Sequence, residues 1–330
     1  MAITATTKIL TLDYWKPAHK LEVGDYVFDR NGKPVRVTLA QQYQRNQCYE
    51  VTFNDYLSVT GDSKLSLPTE NLKYRNRLTS YKGKLKFRRP LRPLTAEQLL
   101  DTPLINKYNR KAISVPTAHP LALPHKDLPI PPFLFGFWFF ARRSTGKLAA
   151  APGTTEFVHE KFRDAGYKVR VSSKLSSGES DFSITPSIDR QLIPNIPKFI
   201  PNNYLLASPE QRQELLSGII CAKSRRYNKK LDTFRFTSLV YDTARRVQLL
   251  AESLGCRTRM EHDSFKNDYT VFFKSRLQLI PGQASPPVKV HYGRRYITKI
   301  EPIQAQLCVH VETTGEDNTI LVGEGFIPVC

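Results

Sequence analysis

Hydrophobic and polar positions alternate over short stretches at both ends of the chain, which predicts a β-rich unit built from both termini. CYEVTF (residues 48–53) and the following YLSVT place β-branched or aromatic residues in this pattern. Asn31-Gly32, between two similar stretches, is a tight hairpin signal. RRYITKIEPI, LCVHVETT and NTILVG repeat the alternation near the C-terminus. We therefore predict one β-rich domain from residues 1–114 and 288–330.

The middle of the chain, residues 115–287, has the periodicity of amphipathic helices instead. Residues 154–171 and 238–260 each predict a helix that ends at a glycine and is followed by a strand. The second helix carries one apolar face: Val240, Ala244, Val247, Ala251 and Leu254. A short apolar helix precedes each unit, and proline-rich segments separate the pieces. We predict an internal duplication, with repeats at about 126–186 and 202–280.

The fold class predicted from this order is mixed α+β. A β-rich domain formed by both chain ends is interrupted by a two-repeat α/β domain. The length of 330 residues is sufficient for two domains with cores of their own.

Charge adds an expectation about partners. Lys and Arg number 49 against 30 Asp and Glu, which gives a formal net charge of +19. Such a surplus favours a polyanionic partner, nucleic acid before a membrane surface, although a merely basic soluble protein is the alternative. The five scattered cysteines lack any CxxC spacing, so we expect reduced thiols and no zinc site.

The expected location is the cytoplasm of a host cell, or a virion if the protein is phage-encoded. No apolar run follows basic residues at the N-terminus, so a signal peptide is not expected. The most apolar stretch, PPFLFGFWFF (residues 131–140), is too short to span a bilayer. We therefore expect neither secretion nor a membrane partner.

A basic segment interleaved with aromatic residues lies at residues 72–93, LKYRNRLTSYKGKLKFRRPLRP. It has nine basic residues and no acidic one, with Tyr74, Tyr81 and Phe87 between them. Positive charge for phosphates together with rings for stacking is typical of nucleic-acid binding. A solvated β-ribbon is the alternative.

Two segments of the middle resemble the paired helices of LAGLIDADG homing endonucleases. They are KDLPIPPFLFGFWFFARRS (residues 126–144) and ELLSGIICAKS (residues 214–224), with Gly136 and Gly218 at the motif's first glycine. The resemblance implies that the two helices pack against each other. The aromatic neighbours of Gly136 predict a bulkier interface than is usual in that family. Two ordinary buried helices are the alternative.

The same resemblance places Ala141 and Lys223 where that family carries its metal-binding carboxylates. Paired carboxylates hold the divalent metal that stabilises the attacking and leaving oxygens. Neither alanine nor lysine supplies such a ligand. We therefore predict that Mg²⁺-dependent cleavage is lost and that no metal or other cofactor is needed, with Mg²⁺ expected only if endonuclease activity survives.

The flanking segments resemble the Hint domain of inteins. ATTKILTLDYWKPAHKLEVGDYVFDRNGKPVRV is similar to its opening block, YLSVTGDSKLSL to its Thr-x-x-His block, and CVHVETTGEDNTILVGEGFIPVC to the closing segment of phage-type inteins, read as two short strands and a turn. In this alignment Ala2 replaces the splicing nucleophile, Ser63 replaces the histidine, and Cys330 stands where the terminal His-Asn is absent, while Thr60 is retained. Splicing by the ordinary route is not expected.

These observations predict a catalytically inactive nucleic-acid-binding protein derived from an intein-encoded homing endonuclease, with duplex DNA preferred to RNA and no small-molecule substrate. The candidate contacts are Lys73, Arg75, Arg77, Lys82, Lys84, Lys86, Arg88, Arg89, Arg92, Arg142, Arg143, Lys147, Arg225, Arg226, Lys229, Lys230 and Arg235. Two alternatives stay open. One is a structural component of a larger protein assembly, such as a phage particle. The other is a splicing intein with a homing endonuclease, disabled in the sequence as it stands.

Overall fold

A computed structural model describes residues 2–45, 47–72, 80–81, 84–85, 91–143, 145–174, 180–188, 199–223, 225–228, 233–275, 277–280 and 293–330. The chain divides into two compact units. The outer unit comprises residues 1–122 and 291–330, and the inner unit comprises residues 123–290. Since both chain ends belong to one unit, the inner unit is an insertion within it.

The outer unit is composed mainly of antiparallel strands. Its N-terminal strands are β1 (Ala2–Thr4), β2 (Lys8–Leu10), β3 (Trp15–Pro17), β4 (Tyr26–Phe28), β5 (Pro34–Arg45), β6 (Cys48–Phe53), β7 (Ser58–Asp62), β8 (Ser66–Asn71), β9 (Ser80–Tyr81), β10 (Lys84–Leu85), β11 (Arg92–Thr95) and β12 (Ile113–Pro116). A 3₁₀ turn spans Ala18–Lys20, and helix α1 spans Ala96–Leu100, where Thr95 and Gln98 form a capping box.

The last four strands of the chain complete this unit. They are β20 (Arg294–Ile303), β21 (Gln306–Thr313), β22 (Ile320–Val322) and β23 (Ile327–Val329). One sheet has the order β1-β21-β5-β4 and another has the order β11-β8-β12-β20-β6-β7, so the C-terminal strands lie between N-terminal ones. Strand β23, which pairs with β22, was not predicted. It is short, and the turn before it contains Gly323 and Phe326 at positive φ, so the sequence shows no clear strand pattern there.

The boundary between the units lies at residues 122/123 and 290/291 rather than at 114/115 and 287/288. The first proline-rich segment begins as a strand and remains attached to the outer unit. The backbone N–H groups of Thr117, His119 and Ala122 donate to the carbonyls of Gly293, Arg30 and Gly32. The prolines therefore indicated that a connection between the units lies here, but they did not locate the residue at which the outer unit ends.

The inner unit consists of two similar repeats. The first contains α2 (Pro132–Ala141), β13 (Leu148–Ala150), α3 (Thr155–Asp164), β14 (Lys168–Lys174) and β15 (Ser180–Thr185). After a short helix α4 (Asn202–Leu205), the second contains α5 (Pro209–Lys223), β16 (Arg225–Asn228), β17 (Thr233–Ser238), α6 (Tyr241–Ser253), β18 (Arg257–Asp263) and β19 (Asp268–Lys274). The sheets have the orders β13-β15-β14 and β16-β17-β19-β18, so the first repeat matches the last three strands of the second.

Glycines end both amphipathic helices, as predicted. Gly166 and Gly255 have φ of +85° and +76°, and each lies two residues after the last residue of its helix, α3 or α6. The left-handed backbone there reverses the chain into β14 and β18. On α6 the predicted apolar face is buried except at Val240, which precedes the first helical residue and is exposed.

Helices α2 and α5 cross through their glycines. A Cβ on Gly136 would overlap the carbonyl oxygen of Leu215, and one on Gly218 would overlap the carbonyl oxygen of Phe133 and lie 2.8 Å from the amide nitrogen of Phe137. The two backbones are therefore in direct contact, and the expectation of a bulkier interface is wrong.

The aromatic residues of α2 lie to the sides of this crossing. Phe135 stacks on Tyr204 at 4.2 Å, and Phe137 lies 5.8 Å from both Phe162 and Phe182, measured between ring centroids. They pack against α3, α4 and β15 rather than in the gap between the two helices.

Helix α3 carries a buried histidine, His159. His159 is 3% exposed and lies edge-on to Phe182 at 4.6 Å, and its Nε2 atom has no hydrogen-bond partner among the described residues. Burial lowers the pKa of His159 below 6.5, with Glu156 opposing this shift and Arg163 adding to it.

We expect the free energy of unfolding to fall as the pH drops below about 6.5, because the unfolded chain then binds a proton that the folded chain resists. The stability that neutral His159 contributes is fully present above that pH, and it is lost as the pH falls towards the lower pKa of His159 in the folded protein. Urea titrations at about pH 7.5 and about pH 5 measure the change. His159→Gln, neutral throughout, should show a smaller fall, and an equal fall in both proteins would contradict the assignment.

Candidate nucleic-acid interface

The sheet β16-β17-β19-β18 has one buried face and one open face. Helix α6 packs on three of its strands, and Phe234, Phe236 and Phe273 are buried on that side. Side chains alternate along a strand, so Arg235 and Phe272 lie on the opposite face. The side chains of the second repeat that could contact a ligand lie on this open face.

Three side chains form a row across the open face. The register pairs Arg235 with Phe272 and Phe272 with Arg259. The guanidinium of Arg259 lies 5.0 Å from the centroid of the Phe272 ring, and its Nη2 lies 2.8 Å from Oε1 of Glu261. The next row pairs Lys274 with Arg257, so four cations occupy one face of this sheet.

The ion pair of Arg259 on this face contributes little to the fold. Arg235, Arg259 and Lys274 are exposed, and an ion pair as exposed as that of Arg259 with Glu261 typically contributes below about 1 kcal/mol. Their placement therefore suits an external anion. The predicted contacts included Arg235 but not Arg257, Arg259 and Lys274, which lie on the same face. The signal that could have found the two arginines is their alternation with Thr258 and Met260, which begins two residues after the helix-ending glycine.

The first repeat offers a weaker open face. Arg142 is exposed and lies 5.8 Å from the Trp138 ring, whereas Arg143 pairs with Asp181 at 3.0 Å. The Arg143 N–H donates to the Lys147 carbonyl at 2.8 Å, which joins these two predicted contacts through the backbone. On β14, Lys168 and Arg170 add two exposed cations that sequence analysis did not single out.

Several predicted contacts lie outside the described residues or their described side chains. Lys84, Arg225 and Arg226 are placed in strands β10 and β16 without described side chains, and Arg92 is exposed on β11. The remaining ones lie in the undescribed segments: Lys73, Arg75, Arg77, Lys82, Lys86, Arg88, Arg89, Lys229 and Lys230. Their roles stay predictions.

The two helix ends do not fit a divalent cation. Ala141 is the last residue of α2, is 4% exposed and has no ligand atom in its side chain. Lys223 is the last residue of α5, and its side chain is a cation. No group of three His, Cys, Asp or Glu side chains suited to a metal occurs in the described part of the chain. The donor set that Mg²⁺ requires is therefore not assembled from these two residues.

The positions compared with the intein catalytic residues come together in the outer unit. Ala2 pairs with His310 across β1 and β21, and a Cβ on Gly61 would overlap the carbonyl oxygen of Ala2. The hydroxyl of Thr60 lies 2.6 Å from that of Thr4. Ser63 is half-buried in the turn that follows. Strand β7, which carries Thr60, thus packs on strand β1, which carries Ala2, and the Ala2 methyl group supplies no nucleophile.

Strand β7 also holds a buried carboxylate that sequence analysis missed. Asp62 is 1% exposed and accepts hydrogen bonds from Tyr43 Oη (3.0 Å), Arg45 Nε (3.1 Å) and the Lys64 N–H (2.8 Å). Burial, and then the neighbouring Asp62, raise the pKa of Tyr43. The network ties strand β5 to strand β7 and to the turn that follows it.

Two thiols of this unit, those of Cys308 and Cys330, have pKa values raised by burial. Cys48 and Cys308 are buried with their Sγ atoms 3.7 Å apart, and burial raises the pKa of Cys308 to about 12. Cys330 donates its backbone N–H to the Ser66 carbonyl, and burial raises the pKa of its thiol to about 11. A thiol in this state is a poor nucleophile near neutral pH.

No family model matches the chain. The replicative DNA helicase DnaB of Mycobacterium intracellulare is 24% identical over 348 residues, which cover 99% of this chain and 58% of the helicase. The chain thus spans somewhat more than half of the length of this curated relative.

Two kinds of solved structure are similar to the chain. The MchDnaB-1 intein is 30% identical over 21% of this chain and 53% of its own, with a TM-score of 0.20. The homing endonuclease I-DmoI, solved in complex with DNA and Mn, is 10% identical over 44% of this chain and 89% of its own, with a TM-score of 0.30. The predicted resemblance to an intein and a homing endonuclease is confirmed, as is the mixed α+β class.

None of the helices in the described ranges is long and apolar enough to cross a membrane.

Proposed function

We propose that the protein binds nucleic acid, duplex DNA in preference to RNA, and performs neither metal-dependent cleavage nor splicing. The observation that carries the proposal is the row of Arg235, Phe272 and Arg259 on the open sheet face, with Arg257 and Lys274 beside it. An extended sheet with cations spaced along it suits the phosphates that flank a groove.

The residues at the two helix ends and at Ala2 support the proposal that the protein performs neither metal-dependent cleavage nor splicing. Ala141 and Lys223 offer no carboxylate, and the Ala2–Thr60–Ser63 arrangement offers neither a thiol at the first position nor an imidazole. The cationic face would then bind DNA without acting on it. The net charge of +19 favours the same partner.

Binding of mixed-sequence duplex DNA over a salt series, with and without Mg²⁺, tests the proposal on gels that also reveal nicks. We expect affinity to fall steeply as salt rises, because each phosphate that the protein neutralises releases a counterion. Cleavage or nicking in Mg²⁺ would overturn the inactive-binder assignment. Absence of binding at moderate salt would remove the proposed function.

Arg235→Gln together with Arg259→Gln should weaken duplex binding about tenfold and reduce the salt slope by about one for each phosphate that the variant no longer neutralises. Arg163→Gln together with Lys20→Gln is the matched control, because it removes two charges from exposed positions outside this sheet. An equal effect in the control would show that net charge, rather than this sheet face, governs binding.

One observation favours a second candidate, a component of a protein assembly. Leu239, Val240 and Tyr241 run consecutively into α6 and are exposed, and Tyr241 lies 5.3 Å from Tyr269. Consecutive exposed apolar side chains are common where a protein partner binds. Stable association with another chain, combined with weak sequence-independent DNA binding, would favour this candidate.

A further inference from the structure

A short hairpin turn in the outer unit, residues 104–112, projects between α1 and β12. Ile105 pairs with Lys111, and the Ala112 N–H donates to the Leu104 carbonyl at 2.8 Å. The Asn106 N–H donates to the Arg110 carbonyl at 2.9 Å. These bonds close the base of the turn.

The tip of this turn is held in one conformation. Oδ1 of Asn106 accepts hydrogen bonds from the backbone N–H groups of Tyr108 (3.0 Å) and Arg110 (2.9 Å). Asn109 has φ of +54°, a conformation that asparagine tolerates better than most residues. Since the backbone is already ordered, a ligand that binds the tip loses less conformational entropy.

The side chains at the tip are cationic and aromatic and do not serve the core. Tyr108 is 69% exposed, and the Lys107 ammonium lies 5.1 Å from its ring centroid. Arg110 and Lys111 are also exposed. No acidic residue occurs between Asp101 and Asp127, so this part of the sequence carries positive charge alone.

A groove of about 630 Å³ lies beside the tip. Leu72, Pro103 and Ile105 give it an apolar floor, and Lys107, Tyr108 and Arg110 line it from the turn. Its volume falls within the usual range for small-ligand sites, about 300–1,000 Å³. A ligand that joins a flat ring to a phosphate would match this groove, because its floor is apolar and its edge is cationic.

We propose that this turn binds single-stranded nucleic acid, with an unpaired base stacked on Tyr108 and the flanking phosphates at Lys107 and Arg110. Stacking on one exposed ring requires a base whose face is open, which a duplex does not offer. The proposal goes beyond the DNA-binding function, because the site lies in the other unit and takes another form of nucleic acid. An acidic peptide would match the cations but would not require the ring.

Fluorescence anisotropy with labelled oligothymidylate and oligouridylate of about 12 nucleotides tests the site, with a duplex of equal length alongside. We expect Tyr108→Ala to weaken single-strand binding about tenfold and Tyr108→Phe to keep it within about twofold, because the ring rather than the hydroxyl stacks. Arg110→Gln should reduce the salt slope by about 0.7. The two probes also show whether the site prefers DNA or RNA.

Tyr56→Ala is the matched control, since Tyr56 is an exposed tyrosine in another turn of the same unit. Unchanged binding by Tyr108→Ala, equal losses from Tyr108→Ala and Tyr56→Ala, or no binding of either single strand at low salt would overturn the proposal.

The outcomes also separate the two proposals. If Arg235→Gln with Arg259→Gln abolishes duplex binding while single strands still depend on Tyr108, both sites stand. If the unaltered protein binds no duplex but the Tyr108 effect persists, only the DNA-binding function fails. Duplex binding without any Tyr108 effect on single strands removes only the turn site.

Discussion

Gly218→Ala should destabilise the inner unit by about 2–3 kcal/mol, although alanine favours a helix by up to about 1 kcal/mol over glycine. The added Cβ would overlap the Phe133 carbonyl oxygen and lie 2.8 Å from the Phe137 amide nitrogen. Both atoms belong to the backbone of α2, so relief requires the helices to separate. Separation would loosen the packing on both sides of the crossing.

Urea unfolding monitored at the tryptophans measures this change, because Trp138 lies on α2. Gly315→Ala is the matched control, since its Cβ would meet only side-chain atoms, the nearest being Val35 Cγ1 at 3.3 Å. We expect the control to change stability by less than about 0.5 kcal/mol. Equal midpoints for the two variants would show that α2 and α5 do not cross through their glycines.

The sequence predicted elements well where one local signal decides the structure. The helix-glycine-strand pattern around Gly166 and Gly255 located both helix ends, because glycine adopts the required left-handed backbone at no steric cost. The Asn31-Gly32 pair located the turn between β4 and β5 in the same way. These features depend on a few adjacent residues.

Features that depend on distant partners were not predictable. Arg212 is fully buried, donates to the carbonyls of Ala207 and Ser253, and its pKa is lowered by burial to about 9. Its position in α5 gives no hint of this, because the accepting carbonyls come from other segments. Asp62 is similar, since its partners Tyr43 and Arg45 lie on another strand.

The candidate interface was predicted only in part for the same reason. Runs of basic residues were conspicuous in the sequence, as with Arg142 and Arg143, yet Arg143 is paired with Asp181. Arg257 and Arg259 did not form a run, but strand alternation places both on the open face beside Lys274. Charge density along the chain is thus a weaker guide than charge on one face of a sheet.

Strand β20 and the β6–β7 turn are joined by a buried ion pair. Arg295 Nε donates to Asp55 Oδ2 at 2.7 Å, and the two side chains are 3% and 4% exposed. The turn is also held by Asn54 and Tyr296, which exchange hydrogen bonds of 2.7 and 2.9 Å. The pair therefore lies where the C-terminal part of the chain meets the N-terminal part of the outer unit.

Asp55→Ala should lower the free energy of unfolding by about 3–5 kcal/mol, because the Arg295 charge would stay buried without its carboxylate. Glu301→Ala is the control: Glu301 pairs with Lys299 at 2.6 Å, but the Lys299 side chain is 62% exposed and that of Glu301 is 38% exposed, so a loss below about 1 kcal/mol is expected. Urea unfolding of both variants measures the difference. Similar small losses in both would mean that water reaches Arg295.

The double variant Asp55→Leu with Arg295→Met separates two free energies: the net stability that the ion pair contributes, and the destabilisation caused by leaving one of its charges buried alone. Oδ1 of Asp55 has no hydrogen-bond partner within the described ranges, so part of the desolvation penalty is not offset. Apolar side chains of similar size remove both charges at once, and we expect the double variant to recover most of the stability that Asp55→Ala loses. If it unfolds as readily as Asp55→Ala, the pair stabilises the fold through its hydrogen bonds rather than by charge compensation.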